Sequence, residues 1–313
     1  MTAGRPVAEP AVDSQRGTVT TMDVRRIPAP VKRVVHLGSR SYGRLTAPGR
    51  MTPSFLICGG QRCGTTSLYR ALAAHPVVLK AVLHKGVHYF DTSYWRGMAW
   101  YRGHFPLQRT ADKVADRYGV AARTFESSPY YMYHPQAAAR IAHDLPYAKI
   151  VVLVRDPVER AYSQHAHEVA RGFEQERDFG NALALEAARL HRQEERLAQD
   201  PDHYSFAHQH HAYRARGEYA RYLGVMAQHV GRERIHVVES ERFFADPEPA
   251  YDEVLRFLGL PADMGRPEFE RHNARPRPSD MDPAIRRDLT AHYTPHDEAL
   301  STWLGRTPLW RRR

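Results

Sequence analysis

Ser54-Phe-Leu-Ile-Cys58 runs into Gly59-Gly60-Gln61-Arg62-Cys63-Gly64-Thr65-Thr66-Ser67 and on through Leu-Tyr-Arg-Ala-Leu-Ala-Ala-His75. A short apolar run ends at paired glycines, and apolar residues then recur at helical spacing, which predicts strand, loop, helix. Lys149-Ile-Val-Val-Leu-Val154 repeats the logic: a β-branched run, then Arg155-Asp156-Pro157, then a helical stretch from Val158. Ile235-His-Val-Val-Glu239 is a third candidate strand and Ala122-Arg-Thr-Phe-Glu126 a weaker fourth. Strands alternating with helices predict an α/β fold of three layers, a central, mostly parallel sheet flanked by helices. Residues 180–200, rich in alanine, glutamate and arginine, predict an exposed helix. A proline- and arginine-rich tail from Pro261 carries a last helix near Pro283 to Leu304.

The chain has 313 residues, 42% of them apolar, which is enough for one large domain. Residues 1–50, interrupted by Pro28, Pro30 and Pro48, predict a basic, poorly ordered arm, and residues 51–313 the folded domain. The formal charge of +10 comes almost wholly from arginine, the lysines being Lys32, Lys80, Lys85, Lys113 and Lys149. Such a charge suits a solvated basic surface, anionic small ligands, anionic polymers or nucleic acid, and does not choose among them. Cys58 and Cys63, the two cysteines, support neither a disulfide framework nor a zinc site. No apolar run is long enough for a signal peptide or a membrane span, so a cytoplasmic location is expected.

Glycines and hydroxyls between Gly59 and Ser67 lie where N–H groups at a helix start point outward to receive an anion. The Gly59-to-Gly64 spacing is that of a nucleotide P-loop, but Thr65 stands where its lysine would follow, and Arg62 supplies the cation instead. Arg155 sits at a strand's carboxyl end with Ser163 eight residues later, and the two can hold a second phosphate. A surface ion pair of Arg155 with Asp156 or Glu159 is the plainer alternative.

With both loops in view, the chain resembles the P-loop-like sulfotransferases, particularly the branch of heparan sulfate 3-O-sulfotransferases and related bacterial enzymes. The resemblance spans roughly residues 54–304. It rests on Gly59 to Leu68, His75-Pro76, His88-Tyr-Phe-Asp91, Trp100-Tyr101, Glu126-Ser-Ser-Pro-Tyr130, Val154 to Ser163, Gly217-Glu-Tyr219 and Phe257-Leu-Gly-Leu260. It implies metal-free transfer of a sulfonate from 3′-phosphoadenosine-5′-phosphosulfate (PAPS) to a hydroxyl or amine of a small-molecule, lipid or carbohydrate acceptor, with no nucleic-acid partner. It further implies that Arg62, Cys63, Gly64, Thr65, Thr66 and Ser67 form the 5′-phosphosulfate loop, Arg62 replacing the family's usual lysine, and that Arg155 and Ser163 grip the 3′-phosphate. Tyr219 resembles a tyrosine near the adenine, and His272-Asn273-Ala-Arg275-Pro-Arg277 is the counterpart of a basic C-terminal loop, contact falling to Arg275 or Arg277.

The acceptor needs a base as it attacks sulfur. Many relatives have a glutamate two residues before the histidine of the aromatic motif, and here that position is Gly86. His88 is the candidate base, because an imidazole titrates near neutrality. Lys85 could orient the sulfonate or an anionic acceptor, and Glu126 is an alternative base. Ser127 replaces a lysine common in heparan-type enzymes, which counts against a heparan-like acceptor. His203, His208, His210 and His211 have irregular spacing unsuited to a metal and read as a surface or acceptor-side loop. Trp95, Trp100, Tyr101, Tyr130, Tyr131 and Tyr133 could line an acceptor cleft or fill the core. A P-loop kinase or NTPase is opposed by Thr65 and by the lack of a strand-borne aspartate for magnesium. The other rivals are a nucleic-acid-binding protein and a family member that binds nucleotide without catalysis.

Overall fold

The computed structural model describes residues 43–270 and 280–312. In chain order the elements are β1 (Phe55–Gly59), α1 (Thr65–Ala73), β2 (Val78–Lys80), α2 (Tyr89–Thr92), α3 (Met98–Arg102), α4 (Gln108–Tyr118), β3 (Arg123–Ser127), α5 (Ala137–Asp144) and β4 (Lys149–Val154). There follow α6 (Pro157–Ala170), α7 (Phe179–Leu190), α8 (Gln193–Gln199), α9 (Phe206–His210), α10 (Tyr219–Val230), β5 (Ile235–Glu239), α11 (Ser240–Ala245), α12 (Pro247–Leu258) and α13 (Pro283–Leu304).

The strands form one sheet in the order β2-β3-β1-β4-β5. All four pairings are parallel, with Phe55 opposite Phe125 and Ile150 opposite Ile235. Every residue of β1 is buried, as is every residue of β4 after Lys149. Successive residues of a strand face opposite sides, so burial of both sets means that both faces are covered by helices, and the uninterrupted apolar runs follow from that. A smaller apolar cluster joins α6, α7 and α13 through Val158, Tyr162, Phe179, Leu289 and Tyr293.

The strand order decides where a ligand can sit. From β1 the chain crosses to β2 and β3 on one side, whereas β4 and β5 lie on the other. The carboxyl ends of β1 and β4 therefore flank the topological switch point, the place where open parallel sheets leave a crevice. The 60–64 loop follows β1 and Arg155-Asp156 follows β4.

Three expectations change. Residues 43–50, counted with the arm, belong to the folded body: Ala47 and Arg50 are buried, and the Arg50 guanidinium donates to the Phe105 carbonyl at 2.5 Å. The predicted helix over 180–200 is two helices broken at Arg192, whose φ is +56°, and α7 buries Phe179, Ala182 and Leu183 instead of standing exposed. The sheet also contains β2, which the sequence did not reveal. No helix among the described residues is long and apolar enough to cross a membrane.

Candidate active site

Gly64 precedes α1 with φ +85°, a conformation that favours glycine, and a Cβ there would also meet the Phe244 ring at 2.8 Å. No side chain caps α1. The Ser67 and Leu68 N–H groups turn back to the Gly64 carbonyl, and the positive end of α1, with the buried Thr65 and Ser67 in its first turn, begins at the crevice.

The second loop meets the first directly. Arg62 Nε donates to Ser163 Oγ on α6 at 3.1 Å, and Arg155 donates to the Arg62 carbonyl at 3.4 Å. Asp156 caps α6 by accepting from the N–H groups of Val158 and Glu159, and Glu159 pairs with Arg286 at 2.7 Å. Neither acid therefore pairs with Arg155, and the plain surface ion pair is not what forms. Tyr219, 1% exposed, donates from its hydroxyl to the Arg155 carbonyl at 2.8 Å and lies 3.6 Å from Cys63 Sγ. It supports the junction of the two loops from beneath. Burial raises the Cys63 thiol to about 11, so it stays protonated. The Ser240 hydroxyl lies 2.5 Å from the Cys63 carbonyl and 2.9 Å from that of Val154, fastening the loop to β4.

Gln61 fixes the loop from the other side. Its amide donates to Glu168 at 2.9 Å and accepts from the buried Arg216, while Glu168 also pairs with His210 at 3.0 Å.

A third segment, following β2, completes the cluster. Lys85 Nζ donates to Thr66 Oγ1 at 3.0 Å and lies 3.4 Å from Thr65 Oγ1, so a lysine reaches the loop after all, from another part of the chain. Desolvation, aided by Arg70, lowers it to about 8, against the opposing pull of Glu126. His88 Nδ1 lies 2.7 Å from the fully enclosed Asp91 carboxylate, and its own side chain is 41% exposed. Desolvation works against the imidazolium, but Asp91 overrides it and holds His88 up at about 9. Asp91 was missed from the sequence, although the His-x-x-Asp spacing on one helical turn was a usable signal.

Glu126 is not a second base facing the crevice. It is fully buried and accepts from Ser128 Oγ and Tyr131 OH, each at 2.6 Å, and from the Val87 N–H at 3.0 Å, while burial raises it above the usual carboxylate range. Its work is to hold the 85–88 segment, because Ser128 Oγ also accepts the N–H of His88 at 3.0 Å. Arg275 and Arg277 lie outside the described residues.

Within the histidine-rich segment His208 and His210 are buried, whereas His203 and His211 are half-buried and Tyr204 and Phe206 are exposed. His208 is 2% exposed, stacks on Tyr133 with ring centres 4.1 Å apart and lies 2.7 Å from the Tyr130 hydroxyl. His211 lies 2.9 Å from the Phe173 carbonyl. Of the aromatic residues considered for an acceptor cleft, Trp100, Tyr101, Tyr130, Tyr131 and Tyr133 are buried, and Trp95 is 68% exposed.

The site thus joins an uncapped helix start, three cations from separate segments and an imidazole oriented by a carboxylate. That set can bind a ligand with two anionic groups and move a proton beside it.

Residues 52–275, more than half the chain, match the family model described as "Sulfotransferase domain". Heparan sulfate glucosamine 3-O-sulfotransferase 6 of Mus musculus is 37% identical over 155 residues, covering 47% of this chain and 42% of that protein. Heparan sulfate glucosamine 3-O-sulfotransferase 5 of Homo sapiens is 28% identical, covering 71% and 58%. The chain thus spans less than two thirds of the length of these curated relatives. The crystal structure of a sulfotransferase from Alicyclobacillus acidocaldarius superposes with a TM-score of 0.62 at 28% identity, covering 84% of this chain and all of that one.

Proposed function

The chain belongs to the sulfotransferase domain family, and from that premise we propose that it moves a sulfonate from PAPS to a hydroxyl of an acceptor, with His88 as the base. The observation that carries this reading is the meeting of three segments at one helix start: Arg62 bonded to Ser163, Arg155 on the Arg62 carbonyl, and Lys85 on Thr66.

The residues fit the donor's two anionic ends. The uncapped start of α1 with Arg62 and Lys85 suits a phosphosulfate, and Arg155 with Ser163 a separate phosphate. A Cβ on Gly60 would come within 3.0 Å of Cys63 Sγ and 3.1 Å of the Leu153 carbonyl, so the loop has no room for a side chain there. When bound, PAPS supplies the sulfonate and leaves as adenosine 3′,5′-bisphosphate. His88 Nε2 takes the acceptor's proton while Asp91 holds Nδ1–H and stabilises the imidazolium. The acceptor oxygen forms its bond to sulfur as the bond from sulfur to the phosphate oxygen breaks, and Lys85, Arg62 and the α1 N–H groups offset the charge left on that oxygen. Lys85 hydrogen-bonds the loop hydroxyls and completes the cation set that a P-loop lysine would otherwise provide.

A carbohydrate hydroxyl is the first acceptor to test, on the names of the curated relatives. A cytoplasmic location belongs to the same proposal and is supported by two free, buried thiols.

The test is calorimetric titration with adenosine 3′,5′-bisphosphate in magnesium-free buffer, repeated with Arg155→Ala and with ATP. Micromolar binding that depends on Arg155 and exceeds that of ATP is expected. No binding, or ATP preferred only with magnesium, would sink the reading and favour a kinase-like nucleotide site.

A further inference from the structure

Away from the transfer chemistry, the head of α10 meets the C-terminal helix α13 through three side chains that no role above absorbs. We propose that Glu218, His292 and His296 form a binding site for a divalent transition metal, zinc by its ligand chemistry, which ties α13 to the segment carrying Tyr219. His292 and His296 are four residues apart on one helix and so project from the same face. Glu218 immediately precedes α10.

The geometry is that of a partly assembled coordination sphere. Glu218 Oε1 lies 3.4 Å from His292 Nε2 and 3.9 Å from His296 Nε2, and one ligand atom from each residue falls within 4.8 Å of the others. Zinc bonds of about 2.0–2.2 Å to nitrogen and oxygen place tetrahedral ligand atoms roughly 3.3–3.5 Å apart, so small side-chain rotations close the sphere. Three protein ligands leave one position for water.

A second observation points the same way. His292 Nε2 is buried and finds no aligned hydrogen-bond partner among the described residues, despite standing 3.4 Å from a carboxylate oxygen. A buried polar atom left unbonded is costly, and a metal would satisfy it. The two imidazole rings stand with their centres 5.2 Å apart, close enough for both to reach one ion. Two cations stand near: Arg221 lies 3.7 Å from the other oxygen of Glu218 and pairs more closely with Glu194 at 2.9 Å, and Arg214, which acts on His292, is paired with Asp288, so Oε1 remains available.

The consequence is mechanical. Gly217 is packed so tightly on Tyr293 that a Cβ would stand 2.6 Å from the ring, and Tyr219, one residue beyond Glu218, holds the Arg155 carbonyl. A metal on Glu218 would lock this joint from outside and steady the second phosphate loop without taking part in transfer.

The test uses the untagged full chain, stripped with chelator and titrated with cobalt(II), whose visible absorption reports four- or five-coordinate nitrogen and oxygen ligation, followed by zinc competition. One equivalent bound at about micromolar affinity or tighter is expected, with a raised thermal midpoint. His296→Ala and His292→Ala should each weaken binding by about 100-fold or more, whereas His203→Ala should not. His296 is about a third exposed, so its replacement should leave the fold intact, checked by circular dichroism. Absence of saturable cobalt binding in the unaltered protein overturns the proposal, as does binding that survives His292→Ala/His296→Ala.

Discussion

The Nε2 atom of His88 lies 3.5 Å from the point where a side chain on Gly86 would begin. The same point is 2.6 Å from the Ser127 carbonyl oxygen and 3.1 Å from Ser128 Oγ. His88 Nε2, the proposed base, thus stands beside a position that backbone has closed to any side chain. Gly86→Ala should cost about 1–3 kcal/mol in urea unfolding, since the obstacle is a strand carbonyl and not a movable side chain. Gly86→Glu, which restores the residue many relatives carry, should lower activity by displacing His88. A Gly86→Glu protein more active than the parent would show that the site lacks a base and not that His88 supplies it.

The pairing of His88 with Asp91 sets the pH profile. The proposed base, held up at about 9, carries its proton at neutrality, so kcat/KM should climb with pH from neutrality toward 8, where Lys85 begins to lose its charge, and the limb through about 9 should stand alone in Lys85→Met. Asp91→Asn removes the charge that holds the imidazolium and should carry this limb toward the ordinary histidine range. His88→Ala should cost about 10²–10⁴-fold in kcat/KM and abolish the limb. A limb unmoved by Asp91→Asn would assign it to another group.

Lys85 should produce the opposite limb. Its ammonium, lowered to about 8 by desolvation and by Arg70, loses its charge above that pH, and with it the attraction for the donor. A bound polyanion favours the charged form, so the descending limb of kcat should lie at higher pH than that of kcat/KM. Lys85→Met should remove this difference and weaken binding of adenosine 3′,5′-bisphosphate by about 1–3 kcal/mol, read by calorimetry.

Glu174 contributes to acid stability, beside Asp91 and Glu168, which are also held below the usual range. Burial alone would raise it, but Arg189 at 2.6 Å, the Glu176 N–H and the Tyr213 hydroxyl hold it at about 2, against an ordinary 4.5. Because the folded-state value is depressed, its contribution is present above pH 4.5 and fades as pH falls toward 2. It amounts to about 3 kcal/mol by linkage. Glu174→Gln should flatten the acid limb of a stability curve measured over that window.

The elements legible in the sequence were those whose burial is written in neighbouring residues. Lys149–Val154 and Ile235–Glu239 are found with the expected bounds, and α13 runs between the expected Pro283 and Leu304, because an unbroken apolar run or a proline start carries its own signal. Val78-Leu-Lys80 is too short to show a period, and only pairing with Arg123–Phe125 makes it a strand. The loops after β1 and β4 were legible as loops because glycines, or an Arg-Asp-Pro turn, follow directly on an apolar run. The burial of Glu126, His208 and His210 was not legible because part of each environment comes from distant chain: Val87 and Tyr101 close on Glu126, Tyr130 and Tyr133 on His208, and Glu168 on His210. Lys85 was expected beside the sulfonate or an anionic acceptor, and its hydrogen bond to Thr66 on the loop after β1 is what the sequence did not show.

Gln61 spends both ends of its amide on buried partners, Glu168 and Arg216, so the loop after β1 is held before any ligand arrives. Shifting it would cost Glu168 and Arg216 one buried hydrogen bond each. If the proposed donor binds at this loop, it meets a mould already set during folding, and calorimetry should register little conformational ordering there.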